Sequence, residues 1–380
     1  MVRTAVWWDG LREAEHAALR PGLPDRLDRR PDVLVVGGGA VGLATGVACR
    51  DAGLGSVVVL ERADRLAAAA SGGNGGAIAP DMHALTDPAP FVAFGRASRE
   101  RYRQLDARWD GAIGLRTTRW LQLFAPGSTP VRWPQGPAFA PLTAQEVGEL
   151  EPDLAVPEGG AALLVSGQRA VNPQRLAAVL AGHAGTVATG VEVTGVRTAG
   201  ERITTVSSSV GDFHPGAVVM ATGLVPPPWS AGVRQRWVKG HMLATAPGPW
   251  RLGSIVSGPD GGGTPLPDGS IVCGGTFDAD LSPELSPAAL DELLTGLRRV
   301  LPAARDAQVT HQWCCFRPLV EGRQPVIDRL PGTTNGWVSA GHFTTGIMLA
   351  VGTGQALASW IDTGRRPAEV ATFGLPDPVA

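Results

Sequence analysis

Three short apolar runs show no polar alternation: residues 32–36 after their leading Asp32, residues 56–60 after Ser56, and residues 217–221. Four or five apolar residues in a row, bounded by turn residues, predict strands buried on both faces of a parallel sheet. Between the first two, residues 39–51 carry small residues along one face and run into Gly53, which predicts a helix with a glycine stop. Strand, helix and strand follow within about 30 residues on short loops, the pattern of a β-α-β unit. Helices are also expected over 91–110, from Asn172-Pro173 to about Ala184, over 286–300 with Ser286 as N-cap and Pro287 in the first position, and over 346–362. Further strands are expected near 187–196, 202–210, 237–246, 270–277 and 336–340. Residues 115–170 mix short apolar runs with Pro and Gly and read as a separate, more irregular layer. Residues 1–31 read as an arm, in which Trp7, Trp8 and Leu11 anchor a short helix and Pro21 and Pro24 keep the chain beyond it irregular.

Composition narrows the class. The 380 residues are 44% hydrophobic, enough for two cores. No apolar run approaches the ~20 residues of a membrane span, and the N-terminus has no apolar signal region, so a soluble, cytoplasmic protein is expected. A net charge of −2 argues against a nucleic-acid partner. Cys49, Cys273, Cys314 and Cys315 lack zinc-ligand spacing, and no metal site is expected. The 51 glycines and 32 prolines imply many tight turns and close backbone approaches. Lys239 is the only lysine.

The chemistry begins at Gly37-Gly38-Gly39-Ala40-Val41-Gly42, a G-x-G-x-x-G that follows a predicted strand and opens a predicted helix. Gly37 permits the turn, Gly39 lets a pyrophosphate approach the backbone at the positive helix N-terminus, and Gly42 lets helix and strand pack closely. Glu61 follows Gly42 by 19 residues, at the end of the second strand, where a carboxylate accepts hydrogen bonds from ribose hydroxyls. Ten residues later comes Ser71-Gly72-Gly73-Asn74-Gly75-Gly76. Such a loop can lie flat against a cofactor and donate backbone N–H groups, a feature that points to FAD rather than NAD.

With these motifs the chain resembles the D-amino-acid-oxidase superfamily, which includes glycine oxidase, monomeric sarcosine oxidase and gamma-glutamylputrescine oxidase-like enzymes. The resemblance rests on the 32–42 fingerprint with Glu61 and Arg62, the 71–76 loop, residues 218–223, residues 315–328 and residues 341–354. It implies an α/β fold: a Rossmann-like FAD-binding domain beside a second, α+β substrate domain built on an antiparallel sheet. On that basis residues 32–90, 165–230 and 310–380 form a discontinuous FAD-binding domain, and residues 91–164 and 231–309 the substrate domain. It also implies that Val193 contacts the adenine side, that Ala221, Thr222 and Gly223 lie near the pyrophosphate, and that Gly341, His342, Phe343, Thr344, Thr345, Gly346 and Ile347 wrap the flavin pyrimidine end. There the N-terminus of the last helix would stabilise reduced flavin.

The implied reaction is oxidation of a C–N bond in an amino acid or a secondary amine, by hydride transfer to flavin N5, with molecular oxygen as the second substrate. Arg317 matches the arginine that holds the substrate carboxylate in glycine and D-amino-acid oxidases, and a guanidinium suits a carboxylate because two N–H donors meet two oxygens. Cys315 occupies the position of the covalent flavin thioether in sarcosine-oxidase relatives. Lys239, His241 and His342 are candidate catalytic groups; on a strand, Lys239 and His241 share one face and Gly240 takes the other. Asp81 and His83 follow the 71–76 loop closely enough to reach the flavin. The chain also departs from the pattern. Its only tyrosine is Tyr102, in a predicted outer helix, whereas tyrosines close the pocket in the relatives. Thr344 stands where arginine is frequent, and the oxygen-activating lysine of sarcosine oxidase has no match in the 261–276 hairpin. These departures point to a specialised substrate such as an N-substituted glycine. They leave open a dehydrogenase of the same fold, a flavin monooxygenase and a non-catalytic flavin subunit.

Overall fold

In a computed structural model, residues 4–130, 132–156, 159–223, 235–320, 322 and 324–375 are described. Residues 224–234, which carry the expected boundary between the two domains, lie outside them, as do Glu321 and Arg323 of the 315–328 motif. The unbroken apolar runs form the heart of a six-stranded sheet. Strand β1 (Val33–Val36) lies between β2 (Val57–Leu60) and the run Ala217–Met220, parallel to both. Thr186–Ala188 extends the sheet beyond β2, and Gly336–Ala340 extends it on the other side. An antiparallel strand, Val326–Arg329, closes that edge. All four residues of β1 and of β2 are buried, as two-sided packing requires.

Helix α1 (Ala40–Asp51) packs on this sheet beside the last helix, Gly346–Thr363. Gly354 makes that contact close, since a Cβ there would lie 2.5 Å from the carbonyl oxygen of Ala44. The helix Pro173–His183 is capped by Asn172, whose side chain accepts from the amides of Gln174 and Arg175. The helix Pro287–Val300 starts at Ser286, as its capping chemistry predicts. The expected strand 187–196 is split: Thr186–Ala188 stays in the six-stranded sheet, while Val193–Ala199 joins a separate three-stranded one. The chain turns between them at Gly190, with φ +74°.

The layer expected to be irregular is a regular sheet. Arg116–Phe124, Phe139–Thr143 and Ala161–Ala170 are strands of a nine-stranded, mostly antiparallel sheet. Leu121 and Leu123 point inward with period two, a signal that the intervening Pro and Gly obscured. The sheet also contains Gln235–Thr245, paired along its whole length with Val309–Val320. The N-terminal arm is tied down: Trp7 is buried, its indole N–H donates to the Asn74 carbonyl, and Asn172 donates to the Trp7 carbonyl. No helix among the described residues is long and apolar enough to cross a membrane.

Candidate active site

A cavity of about 540 Å³ lies where the carboxyl ends of the parallel strands meet the nine-stranded sheet. Gly37, Glu61, Ala221 and Gly341, each just beyond the end of a strand of the six-stranded sheet, all line it, the place where open α/β sheets bind ligands. The opposite wall carries Trp120, Met242, Thr264, Val272 and Arg317.

The fingerprint has the geometry its spacing predicts. Gly37 has φ +119°, and a Cβ there would meet the Ala221 carbonyl oxygen at 2.3 Å. A Cβ on Gly42 would lie 1.9 Å from the Gly37 carbonyl oxygen, so only glycine allows α1 to start so close to β1. Gly39 differs: its φ is −79°, and only the Ser71 side chain comes within 4 Å of the point a Cβ would occupy, so its open side is the cavity. The Ser71 hydroxyl accepts from the Ala40 amide and caps α1. Glu61 accepts from the amides of Gly38 and Ala63 at 2.7 and 2.8 Å, which fixes its carboxylate at the cavity edge. Val41, Arg62, Asn74, Gly75, Gly76, Thr222 and Gly223 also line the cavity. Ser339 does too, and its hydroxyl is buried without a partner among the described residues.

Some expected residues lie elsewhere. Ala40, Gly42 and Gly72 support the turn from behind, and Gln174 packs on Gly72. Val193 does not line the cavity. It begins the three-stranded sheet, and Val191 is the residue whose amide binds the Glu61 carbonyl, because the chain turns away after residue 191. In the 341–347 segment, Gly341, His342, Phe343, Thr344, Gly346 and Ile347 line the cavity, and Thr345 instead stands at the N-cap position of the last helix, its hydroxyl donating to the His342 carbonyl. Phe343 holds φ +48° while its amide donates to the Pro318 carbonyl. Tyr102 is fully buried and donates to the Ile347 carbonyl at 2.6 Å, so it positions the helix entrance from outside the cavity.

His342 turns its Nε2 toward the Thr353 hydroxyl at 3.3 Å, and burial pushes its pKa down to about 4. It is neutral near pH 7 and is no acid catalyst there. A histidine depressed in the folded state contributes stability that is complete above its ordinary 6.5 and is lost as pH falls toward about 4. His342→Gln is expected to remove about 3 kcal/mol of acid-side slope across that window. Urea midpoints from pH 7 to pH 4 check this, and an unchanged slope would count against it.

Lys239 and His241 do not line the cavity, which corrects the expectation that either faces it. Both are 1% exposed on the far face of their strand. Lys239 Nζ donates to the Glu284 carbonyl at 2.6 Å and to Asp280 at 3.1 Å, and His241 Nδ1 meets Asp278 at 2.9 Å. The strand's other parity, Gly240 and Met242, faces the cavity side. Met242 lines the wall, and a Cβ on Gly240 would lie 2.3 Å from the Arg317 guanidinium. The glycine between two polar residues was the available signal.

Asp81 and His83 are absent from the cavity as well. His83 pairs with Asp87 at 2.9 Å. Asp81 is buried and accepts from Arg96 at 2.6 Å, from Gln168 at 2.9 Å and from Arg99. Burial pushes its carboxyl up, but these bonds and the Arg99 charge outweigh burial and leave it below the usual range. Its stabilisation is present above the ordinary aspartate range and is lost as pH falls through the lowered value. Asp81→Asn is expected to cost about 2 kcal/mol at pH 7, both arginines being partly open to water. A denaturant midpoint within error of wild type would refute this.

Arg317 is the cavity's chemical landmark. Its Nη1 donates to the Thr276 carbonyl at 2.8 Å, and its guanidinium lies over the Phe277 ring at 4.8 Å. Burial pulls its pKa below the ordinary arginine range, opposed by Cys315 and Asp278. Among the described residues no carboxylate lies within ion-pair distance of it. Cys315 lines the same wall, two residues away, and burial raises its thiol.

The model of the FAD dependent oxidoreductase family matches residues 32–360. The chain belongs to that family. Within it, the chain is 28% identical over 389 residues to the glycine oxidase of Geobacillus kaustophilus, covering 92% of this chain and 97% of that one. It is 29% identical over 356 residues to the bifunctional protein ThiO/ThiG of Trichormus variabilis, covering 87% of this chain and 52% of that one. The chain thus spans about half the length of the bifunctional relatives it matches. The crystal structure of the Geobacillus kaustophilus glycine oxidase superposes with TM-score 0.80 over 93% of this chain and 100% of that one, at 24% identity. L-proline dehydrogenase from P. horikoshii also superposes at 0.80, with 19% identity over 92% and 97%. These solved structures share the fold of this flavoprotein. FAD, the family's cofactor, fits what the cavity offers: a glycine cradle, an α-helix N-terminus, a carboxylate 19 residues on and an unpartnered Ser339 hydroxyl.

Proposed function

We propose that this FAD-dependent oxidoreductase oxidises the C–N bond of an amino acid or of an amine bearing a carboxylate. One observation carries the reading: a mostly buried guanidinium in the cavity wall with no carboxylate at ion-pair distance among the described residues. A buried unpaired cation is costly, and a substrate carboxylate offsets that cost with two parallel hydrogen bonds. FAD, when bound, would supply the hydride-accepting chemistry for the carbon bearing nitrogen.

The chain supplies binding, orientation and exclusion of water. Gly37, Gly39 and the first turn of α1 would hold the pyrophosphate, Glu61 a ribose, and residues 341–347 the ring end. Arg317 would fix the substrate carboxylate, with Trp120 and Met242 forming the apolar wall over the reacting carbon. The titratable side chains lining the cavity are Glu61, Arg62, Cys315, Arg317 and His342. Glu61 is committed to backbone amides and His342 to Thr353, so among the described residues no group beside Arg317 is poised as a base; the substrate enters as the neutral amine. The test is anaerobic reduction of the yellow enzyme by a panel of amino acids and their primary amides. Bleaching by the acids at far lower concentration than by the amides supports the reading, and equal bleaching defeats it.

Oxygen is the acceptor in this reading, and peroxide on admission of air checks it. A second reading sends the electrons to a carrier. The placement of Lys239 favours it, because the chain's one lysine is held away from the cavity and no ammonium lines the wall. The flavin is proposed to be held without a covalent bond, since burial keeps the Cys315 thiol protonated and a thiolate is the nucleophile a thioether needs. Acid precipitation is therefore expected to leave the yellow colour in the supernatant. Colour in the pellet that disappears in Cys315→Ser would show the opposite.

A further inference from the structure

Residues 275–286 form a strap that leaves the strand Ile271–Gly274 at the cavity wall and ends at the cap of the helix Pro287–Val300. Three consecutive strap residues act on or near Arg317. The Thr276 carbonyl accepts from its Nη1 at 2.8 Å, the Phe277 ring covers its guanidinium at 4.8 Å, and Asp278 anchors the strap to the strand Gln235–Thr245. Backbone pairing there amounts to one bridge, Lys239 with Asp278, so side chains must do most of the holding.

Lys239 holds the middle of the strap, at Asp280 and Glu284, and His241 holds its two ends. The Ser286 amide donates to the His241 Nε2 at 3.0 Å, so Nε2 is the acceptor and Nδ1 carries the proton. Nδ1 then donates to Asp278 at 2.9 Å. The His241 amide donates to the Thr276 hydroxyl at 2.7 Å, and that hydroxyl donates to the same Asp278 oxygen at 3.0 Å. One imidazole thus joins both ends of the strap, Asp278 near Arg317 and Ser286 at the helix cap, from the side of the strand opposite the cavity. On the cavity side, the missing Cβ of Gly240 leaves the space the guanidinium fills.

We infer that His241 and Asp278 are positioning residues for carboxylate recognition, acting through Thr276 and Phe277 to hold the Arg317 guanidinium in place; this rests on the reading that Arg317 binds the substrate carboxylate. The selectivity of the site is then set partly by a histidine that never touches the ligand.

The experiment uses the FAD-loaded enzyme and two small probes, acetate and acetamide, each titrated against the flavin absorbance spectrum. Wild type should bind acetate, and Arg317→Met should lose that binding by a hundredfold or more. His241→Ala should weaken acetate at least tenfold and leave acetamide within twofold. His241→Asn, which keeps an N–H at the Nδ1 position, should return acetate to within about threefold of wild type. Asp278→Ala, at a half-exposed position, should repeat the His241→Ala pattern and serves if that variant does not fold. Equal weakening of both probes, or no rescue by Asn, would reduce His241 to a structural residue and overturn the inference. Acetate binding insensitive to Arg317→Met would overturn the parent reading, whereas a response to Arg317→Met without one to His241→Ala and Asp278→Ala would overturn the inference alone.

Discussion

Gly39→Asp is expected to yield a folded but colourless protein. Gly39 has a backbone that any residue can adopt and is the one glycine of the fingerprint whose Cβ would meet only the Ser71 side chain, so a side chain there enters the cavity. Aspartate is moreover a favoured N-cap, and Gly39 is the N-cap of α1, so the substitution supports the helix in the absence of cofactor. What it opposes is an anion at the helix N-terminus. A fixed carboxylate beside a pyrophosphate costs several kcal/mol, and about 4 kcal/mol is roughly a thousandfold in FAD affinity. The expected result is a far-ultraviolet circular dichroism spectrum like that of wild-type apoprotein, no flavin absorbance after gel filtration, and slight recovery of colour at high added FAD. Gly42→Ala should behave differently, because its Cβ meets the backbone of Gly37 and disturbs the strand–helix packing itself. A yellow Gly39→Asp protein with stoichiometric flavin would place the pyrophosphate elsewhere.

That contrast also shows which parts of the molecule could be read from the chain. The fingerprint is local: strand, turn, helix and acid lie within about 30 residues, and each glycine has a steric reason visible in its spacing. The buried strands were legible for the same reason, since an unbroken apolar run has one favourable environment. The substrate wall was not legible in this way. Whether Lys239 and His241 or Gly240 and Met242 face the cavity depends on which side of the strand Gln235–Thr245 the six-stranded sheet approaches, a tertiary fact that alternation alone leaves undecided. Trp120 presents the same problem, in a stretch whose Pro and Gly content hid three paired strands. Val193 lies away from the cavity for a third reason. A single positive-φ glycine at position 190 lies where one predicted strand divides into two in separate sheets, and nothing in the apolar pattern marks the change. Burial, by contrast, commits three of the candidates to partners outside the reaction: Asp81 to two arginines, His241 to the strap and His342 to Thr353 of the last helix.

Arg317→Met should separate recognition from stability. Methionine keeps the apolar stem and removes the charge, so the wall stays filled. If the guanidinium exists to meet a carboxylate, its loss should raise the KM for a carboxylated substrate by about 3 kcal/mol, roughly a hundredfold or more, with little change for the matching amide. The limiting rate of flavin reduction should fall less than the affinity, because the reacting carbon is also held by the apolar wall. The sign of the stability change carries the stronger argument. A structural arginine that bridges two sheets would lower the thermal midpoint when removed. Arg317 is different: it is mostly buried, that burial pulls its pKa down, and the Thr276 carbonyl, the Phe277 ring and the more distant Asp278 charge compensate it only in part. Removing a poorly compensated buried charge relieves its desolvation, so the substrate-free variant should match or exceed the wild-type midpoint. Loss of carboxylate affinity together with retained or increased stability is the signature of a residue held under cost for its ligand. A lowered midpoint with unaltered KM would instead assign Arg317 to the framework.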